Sequence, residues 1–315
     1  AYGSIINDTT RQWKLPIQYS ISSSLYGWYI RKALEIFSTY TCVKFQENYY
    51  LKDSDHGIKF LYGDTCRSDF IGRKSNEVNK IYINNDCNFI YAWIQGLIME
   101  ALGVFPEQTR TDRDKFVEIK YENIDYKRYP GVSTYMDINW PHNTSNYDTK
   151  YEYGSVVQYI SKAFSKNGEL TILAKGEHAV RHQQMMGQKY NVAFQDYKLI
   201  NRHFCNKKCE KQLGCWRGGY EDPNNCWKCI CPFPFENNIC DGLLKNDDGC
   251  SFRYERASDI KRFLSFVGWK SCYGYIVAPS NDYRVELNIT RLHMTKYEIC
   301  TRDNSMVEIK YLADK

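Results

Sequence analysis

The 315-residue chain carries six histidines: His56, His142, His178, His182, His203 and His293. Only His178 and His182, in Glu-His-Ala-Val-Arg-His, have the i, i+4 spacing that sets two imidazoles on one helical face and offers two ligands to a zinc ion. No third ligand lies near them in the sequence. With Gln183 and Gln184 beside them, a solvated turn or short helix is the plainer reading. A catalytic zinc needs three protein ligands and an open position for water, and that water needs a base. Cysteine is the other candidate chemistry. Seven of the thirteen cysteines crowd between Cys205 and Cys240, a density that points to a disulfide scaffold made in an oxidising compartment.

The element that would position a site is the stretch from Trp93 to Asp114. Ile94, Leu97, Ile98, Ala101 and Leu102 fall at i, i+3, i+4, i+7 and i+8, the apolar stripe of a helix. Gly103 follows as a left-handed cap, Pro106 forbids continuation, and a dense charged tail comes next. This stretch resembles the active-site helix and following loop of the astacin family of zinc metallopeptidases, whose pattern is His-Glu-x-x-His-x-x-Gly-x-x-His-Glu and then Arg-x-Asp-Arg-Asp. Gly103, Glu107, Arg110, Asp112, Arg113 and Asp114 match position by position. The three ligand positions hold Gly96, Glu100 and Pro106, and the general-base position holds Leu97. Glycine and proline offer no donor, one hard carboxylate is a poor trap alone, and leucine cannot accept a proton.

The likeness continues in Tyr151-Glu-Tyr-Gly-Ser-Val-Val-Gln-Tyr-Ile160, which resembles the family's Met-turn, Ser-Val-Met-His-Tyr. Val157 stands for the methionine, Gln158 for the histidine, and Tyr159 for the tyrosine that can approach the zinc. Without a metal, Tyr159 reads as a packing tyrosine. Ala163 to Gly168, Thr171-Ile172, Gly187-Gln188 and Phe194-Gln-Asp196 also match. In mature family members the freed N-terminal ammonium meets the glutamate after the third histidine. Glu107 holds that position, and Ala1, with no signal peptide ahead of it, would suit a mature start. The resemblance further implies that Gly96→His, Leu97→Glu, Glu100→His and Pro106→His together would restore zinc binding.

Strand candidates at Ile17–Ser20, Val43–Phe45, Ile58–Tyr62 and Ile81–Ile83, with a helix over Leu25–Thr39, suggest a mixed sheet backed by two helices. That order fits the upper half of a two-lobed, metzincin-like α+β domain over residues 1–204, in which the resemblance pairs Cys66–Cys87 and Cys42–Cys205. Residues 205–241 resemble an EGF-like module, with Cys209–Cys226, Cys215–Cys229 and Cys231–Cys240 as the implied pairs. Residues 250–315 alternate in short runs, at Gly274–Pro279, Arg284–Leu287 and Val307–Tyr311. They resemble the first two-thirds of a CUB β-sandwich, with Cys250–Cys272 as its first bridge. Cys300 is left without a partner, as an odd cysteine count requires. This three-module order is the layout of many nematode members of the family.

Net charge is +5 with both signs scattered. No basic run is longer than a few residues, no nucleic-acid module appears, and no apolar run reaches the length of a membrane span. Sequons at Asn7, Asn143 and Asn288 fit a secreted glycoprotein. The expectation is a secreted, catalytically inactive astacin-like protein with no cofactor, whose cleft and C-terminal modules bind extracellular proteins or peptides. The alternatives are an active zinc metalloendopeptidase and an adhesive or matrix protein acting through its C-terminal modules.

Overall fold

The computed structural model describes residues 4–138, 144–250, 252–295, 301–302 and 306–310. Ala1, His142, Asn143, Cys300 and Tyr311 lie outside the described residues. The chain divides into two compact units, one made of residues 1–208 with 296–307 and the other of residues 209–295 with 308–315. Among the described residues no helix is long and apolar enough to cross a membrane.

In the first unit, β1 (Ile5–Ile6), β2 (Ile17–Ile21), α1 (Gly27–Tyr40), β3 (Phe45–Glu47), β4 (Gly57–Tyr62), β5 (Arg67–Ser68), β6 (Asn79–Ile83) and α2 (Tyr91–Leu102) follow in order. A five-stranded sheet runs β3-β2-β4-β6-β5. Its first four strands pair in parallel and β5 closes one edge antiparallel to β6. The alternation Ile58, Phe60 in β4 and Ile81, Ile83 in β6 turns one apolar face inward. Ile30, Ala33, Leu34 and Phe37 of α1 and Ile94, Leu97, Ile98, Ala101 and Leu102 of α2 pack into the same core. Helix period on two helices and strand period on the sheet thus converge on one apolar layer. The buried Gln95 joins the helices, its Nε2 donating to Ala33 O (2.8 Å) while its Oε1 accepts from the Tyr197 hydroxyl (2.9 Å).

After α2 come β7 (Val117–Ile119), α3 (Ser133–Met136), β8 (Thr144–Ser145), β9 (Ile172–Ala174), α4 (Ala179–Gln183) and α5 (Phe194–Phe204). β7 and β9 pair antiparallel over a second apolar cluster that includes Ile124, Met136, Tyr151 and Tyr153. β1 pairs with β8, and Ile5 also bridges Val104. Disulfides Cys42–Cys205 and Cys66–Cys87 tie the end of α5 to the loop after α1, and β5's entry to the turn before α2.

The second unit holds β10 (Tyr220–Asp222), β11 (Asn225–Ile230), β12 (Phe235–Glu236), β13 (Gly242–Leu243), β14 (Tyr254–Arg256) and β15 (Tyr275–Val277). β10–β11 and β12–β13 are short antiparallel pairs. Bridges Cys209–Cys226, Cys215–Cys229 and Cys231–Cys240 staple them, and Cys250–Cys272 lies beyond. β14 and β15 pair in parallel. The expected strand at Arg284–Leu287 does not form, and its residues are exposed. Alternation stabilises a strand only where a neighbour takes up its backbone groups and one face is covered.

Candidate functional site

Helix α2 ends where the sequence says it should. Gly103 caps it at φ +108°, its N–H donating to Glu100 O and Met99 O, so the chain turns at once into the charged tail. Ile6 N–H donates to Gly103 O (3.0 Å) and Phe105 N–H to Ser4 O (2.8 Å), which threads the N-terminal strand beside this turn.

Gly96 and Glu100 lie one turn apart on the same face of α2. Residue 96 faces the turn at Ser155–Tyr159: a Cβ built on Gly96 would stand 3.2 Å from Val156 Cγ2 and 3.4 Å from Val156 O. Leu97 is buried in the main core. Pro106, also buried, precedes a short 3-10 turn over Glu107–Thr109. Glu100 keeps partial solvent access. Its carboxylate accepts from the Ser68 backbone N–H and interacts with the Lys189 ammonium. Burial pushes the Glu100 carboxyl up and the Lys189 ammonium down, and the opposite charge of each draws the other back toward its ionised form. Lys189 Nζ donates to Val156 O and to Gln158 O (3.3 Å).

The turn itself is organised by Asp196 of α5. Ser155 Oγ (2.6 Å), Val156 N (3.0 Å) and Ala193 N (3.1 Å) all donate to its buried carboxylate, whose pKa burial raises to about 6 against those bonds. Gln158 is fully buried and its Oε1 accepts from the Tyr151 hydroxyl (2.8 Å). Tyr159 stacks on Tyr135 with ring centres 6.0 Å apart and packs on Phe164. Burial, then the Glu100 charge and Tyr135, hold its phenol well above the usual range.

The charged tail after α2 is an internal frame. Arg110 is 2% exposed. It forks onto Asp112 (2.9 and 3.0 Å), reaches Thr149 O (3.1 Å) and lies 3.5 Å from Glu107. Arg113 is equally enclosed, donating to Gln108 O (3.0 Å), Met136 O (2.6 Å) and the Tyr121 hydroxyl (3.0 Å) and pairing with Asp114 (2.7 Å). Glu107 is buried. It accepts from Glu152 N (2.9 Å), and burial raises its carboxyl to about 8. Its expected partner, the Ala1 ammonium, lies outside the described residues.

His178 and His182 sit at the start of and within the short α4, with rings 6.2 Å apart, and His182 stacks on Tyr153 at 4.2 Å. Asn7 and Asn288 are exposed. The structure therefore brings Gly96, Glu100 and Tyr159 together around the 155–159 turn, with Leu97 turned into the core and the two close-spaced histidines on α4. Sequence reasoning missed Lys189 and the organising role of Asp196. Lys189 is a single charge in a polar stretch with no periodic signal. Asp196 was visible only as part of a matching run.

The sequence matches the profile of Astacin, described as a peptidase family, over residues 5–205, nearly two-thirds of the chain. The chain belongs to the astacin family. It is similar to zinc metalloproteinase nas-34 of Caenorhabditis elegans, 29% identical across 99% of this chain and 50% of that protein. It is also similar to zinc metalloproteinase dpy-31 of Haemonchus contortus, 31% identical across 87% of this chain and 51% of that protein. This astacin-family chain thus spans about half the length of those curated relatives. Among solved structures it resembles high choriolytic enzyme 1, a hatching enzyme zinc-protease from the medaka Oryzias latipes. The TM-score is 0.51 at 28% identity, covering 62% of this chain and 94% of that one. The astacin-like fold, with its mixed sheet and helices, is followed here by a disulfide-rich C-terminal region.

Proposed function

We propose that this astacin homologue is secreted and catalytically silent, and that its cleft binds an extended peptide without cutting it. The single observation that carries the reading is the donor set. Astacin-family zinc would need side-chain ligands at residues 96, 100 and 106, and those residues do not fit it. Gly96 has no donor, and even a Cβ there would stand 3.2 Å from Val156 Cγ2. Pro106 has none either. The Glu100 carboxylate is already engaged by the Ser68 amide and the Lys189 charge. Leu97, at the base position, lies in apolar packing and can take no proton from water. No hydrolytic step is routed through this site.

Peptide binding is supported by the position of β5. It is an edge strand of the five-stranded sheet, and the backbone N–H of Ser68 at its end reaches Glu100 of the cleft. An extended chain can add to such an edge through main-chain hydrogen bonds. Secretion is supported by six disulfides spread over both units. The 1–3, 2–4, 5–6 pairing of the cysteines from Cys209 to Cys240 supports the EGF-like reading of residues 205–241, and we assign residues 250–315 to a CUB-related module. Exposed Trp216 and Trp227 on the EGF-like part favour protein contacts there, the basis of the second reading as an adhesive protein. The named relatives are zinc metalloproteinases, so the test is direct. The purified, folded protein is assayed for bound metal and for casein cleavage. Cleavage that a chelator abolishes would establish the active alternative and end this one.

A further inference from the structure

We infer that the ammonium of Lys189 occupies the place of a metal cation in this cleft, joining the Gly96–Glu100 face of α2 to the Ser155–Tyr159 turn. The inference deepens the reading of a cleft without zinc and rests on it.

Val156 O is the common point. It lies 3.4 Å from where a Cβ on residue 96 would stand, and it accepts a hydrogen bond from Lys189 Nζ. The ammonium is therefore next to the first ligand position, while its charge faces the carboxylate at the second, Glu100, one helical turn away. Gln158 O is a second acceptor at 3.3 Å. Asp196, which holds the same turn through Ser155 and Val156, adds a further negative charge. Two carbonyls accept from the ammonium and the charges of two carboxylates act on it, a set of oxygen groups of the kind a compact, strongly hydrated cation accepts. An ammonium brings three donors and one charge to it.

The lysine is held there by its neighbours. Gly187 has φ +84°, and a Cβ on it would fall 2.2 Å from Ile160 Cγ2, so only glycine lets this segment pass so close to the turn. Gln188 is buried. Its Nε2 donates to Gly154 O and Asn191 O, and its Oε1 accepts from Tyr190 N (3.0 Å) and Asn191 N (2.9 Å). Lys189 thus leaves a clamped backbone and points at Val156 O.

The consequence is that restoring the four lost side chains is not enough. A zinc ion entering the variant with Gly96→His, Leu97→Glu, Glu100→His and Pro106→His would meet a like charge already hydrogen-bonded in its place. Adding Lys189→Met, which keeps the stem and removes the charge, should tighten zinc binding by at least about tenfold at neutral pH, read by competition with a chelating dye. Equal affinity with and without Lys189 overturns the inference. A second measurement does not depend on so heavily substituted a chain. In the otherwise unaltered protein, Lys189→Met and Glu100→Gln should each lower the thermal midpoint by about 5 °C, and the double variant should lose clearly less than the sum. Simple additivity overturns the pairing. Stoichiometric zinc in the unaltered protein would instead sink the zinc-free reading itself. The two failures are therefore distinguishable.

Discussion

Replacing Arg110 by methionine tests whether the tail that carries the family signature has become purely architectural. Methionine keeps most of the stem, so packing changes little and the guanidinium contacts are what is lost. Those contacts are two hydrogen bonds to Asp112, one to Thr149 O, two longer ones to Thr149 Oγ1 (3.4 Å) and Lys150 O (3.5 Å), and a longer approach to Glu107. Burial raises the Glu107 carboxyl to about 8 even beside Arg110, so Glu107 is largely protonated at neutral pH and adds little charge to the loss. Hydrogen bonds to charged groups contribute about 1.5–3 kcal/mol each, and Asp112 is a third exposed, which argues for the lower end. The total is about 3–5 kcal/mol, and at roughly 2–4 °C per kcal/mol for a domain of this size the thermal midpoint should fall by about 10 °C. Arg110→Lys should recover only part of it, because an ammonium cannot fork onto both Asp112 oxygens while reaching Thr149. Differential scanning calorimetry reads both variants. A fall of less than about 2 °C for Arg110→Met would refute the claim that these residues frame the domain.

Three further outcomes concern Glu107, Asp148 and one disulfide. Glu107→Gln should remove a pH dependence. The folded pKa of Glu107 is raised from 4.5 to about 8, so its cost appears as the pH rises from about 4.5 to about 8, and urea unfolding across that window should be flatter in the variant. Asp148 behaves oppositely. Burial alone would raise its pKa, but hydrogen bonds from Arg202 and Lys198 bring it down to about 2. Its contribution is present above the unfolded value of 3.8 and is lost as pH falls through about 2. As Asp148 is half exposed, Asp148→Asn should cost under about 1 kcal/mol at pH 7, with the gap closing toward pH 2 in acid titrations. Removing Cys231–Cys240 by paired serine substitutions should cost about 2–5 kcal/mol, read as faster protease cleavage within residues 209–244.

What the sequence disclosed depended on whether the signal was local. The stripe on α2 and the Gly103 cap need nothing beyond their own stretch, and both are where the spacing puts them. The strand expected at Val43–Phe45 begins two residues later. Ser38 Oγ donates to Val43 O (2.9 Å) and Val43 N donates to Thr41 Oγ1 (3.2 Å), so its backbone groups serve the exit from α1 and not a neighbouring strand. Val43 is fully buried all the same, which is why its apolarity read as strand. The short edge strand β5 left no periodic trace, since two residues cannot show alternation. Arg110 and Arg113 were legible as a motif, but charged residues in a loop gave no hint of near-complete burial. Lys189 was illegible for a further reason. Its partners lie 33 and 31 residues earlier, and only the folded path of the chain past Ile160 brings them together.

The central claim, that this astacin-family cleft holds no zinc, is tested most directly by elemental analysis of the folded protein after dialysis against metal-free buffer. The account predicts well under about 0.1 zinc per chain, because one engaged carboxylate and no imidazole cannot supply the three ligands a catalytic zinc requires. One zinc per chain that survives dialysis and leaves with a chelator would contradict it.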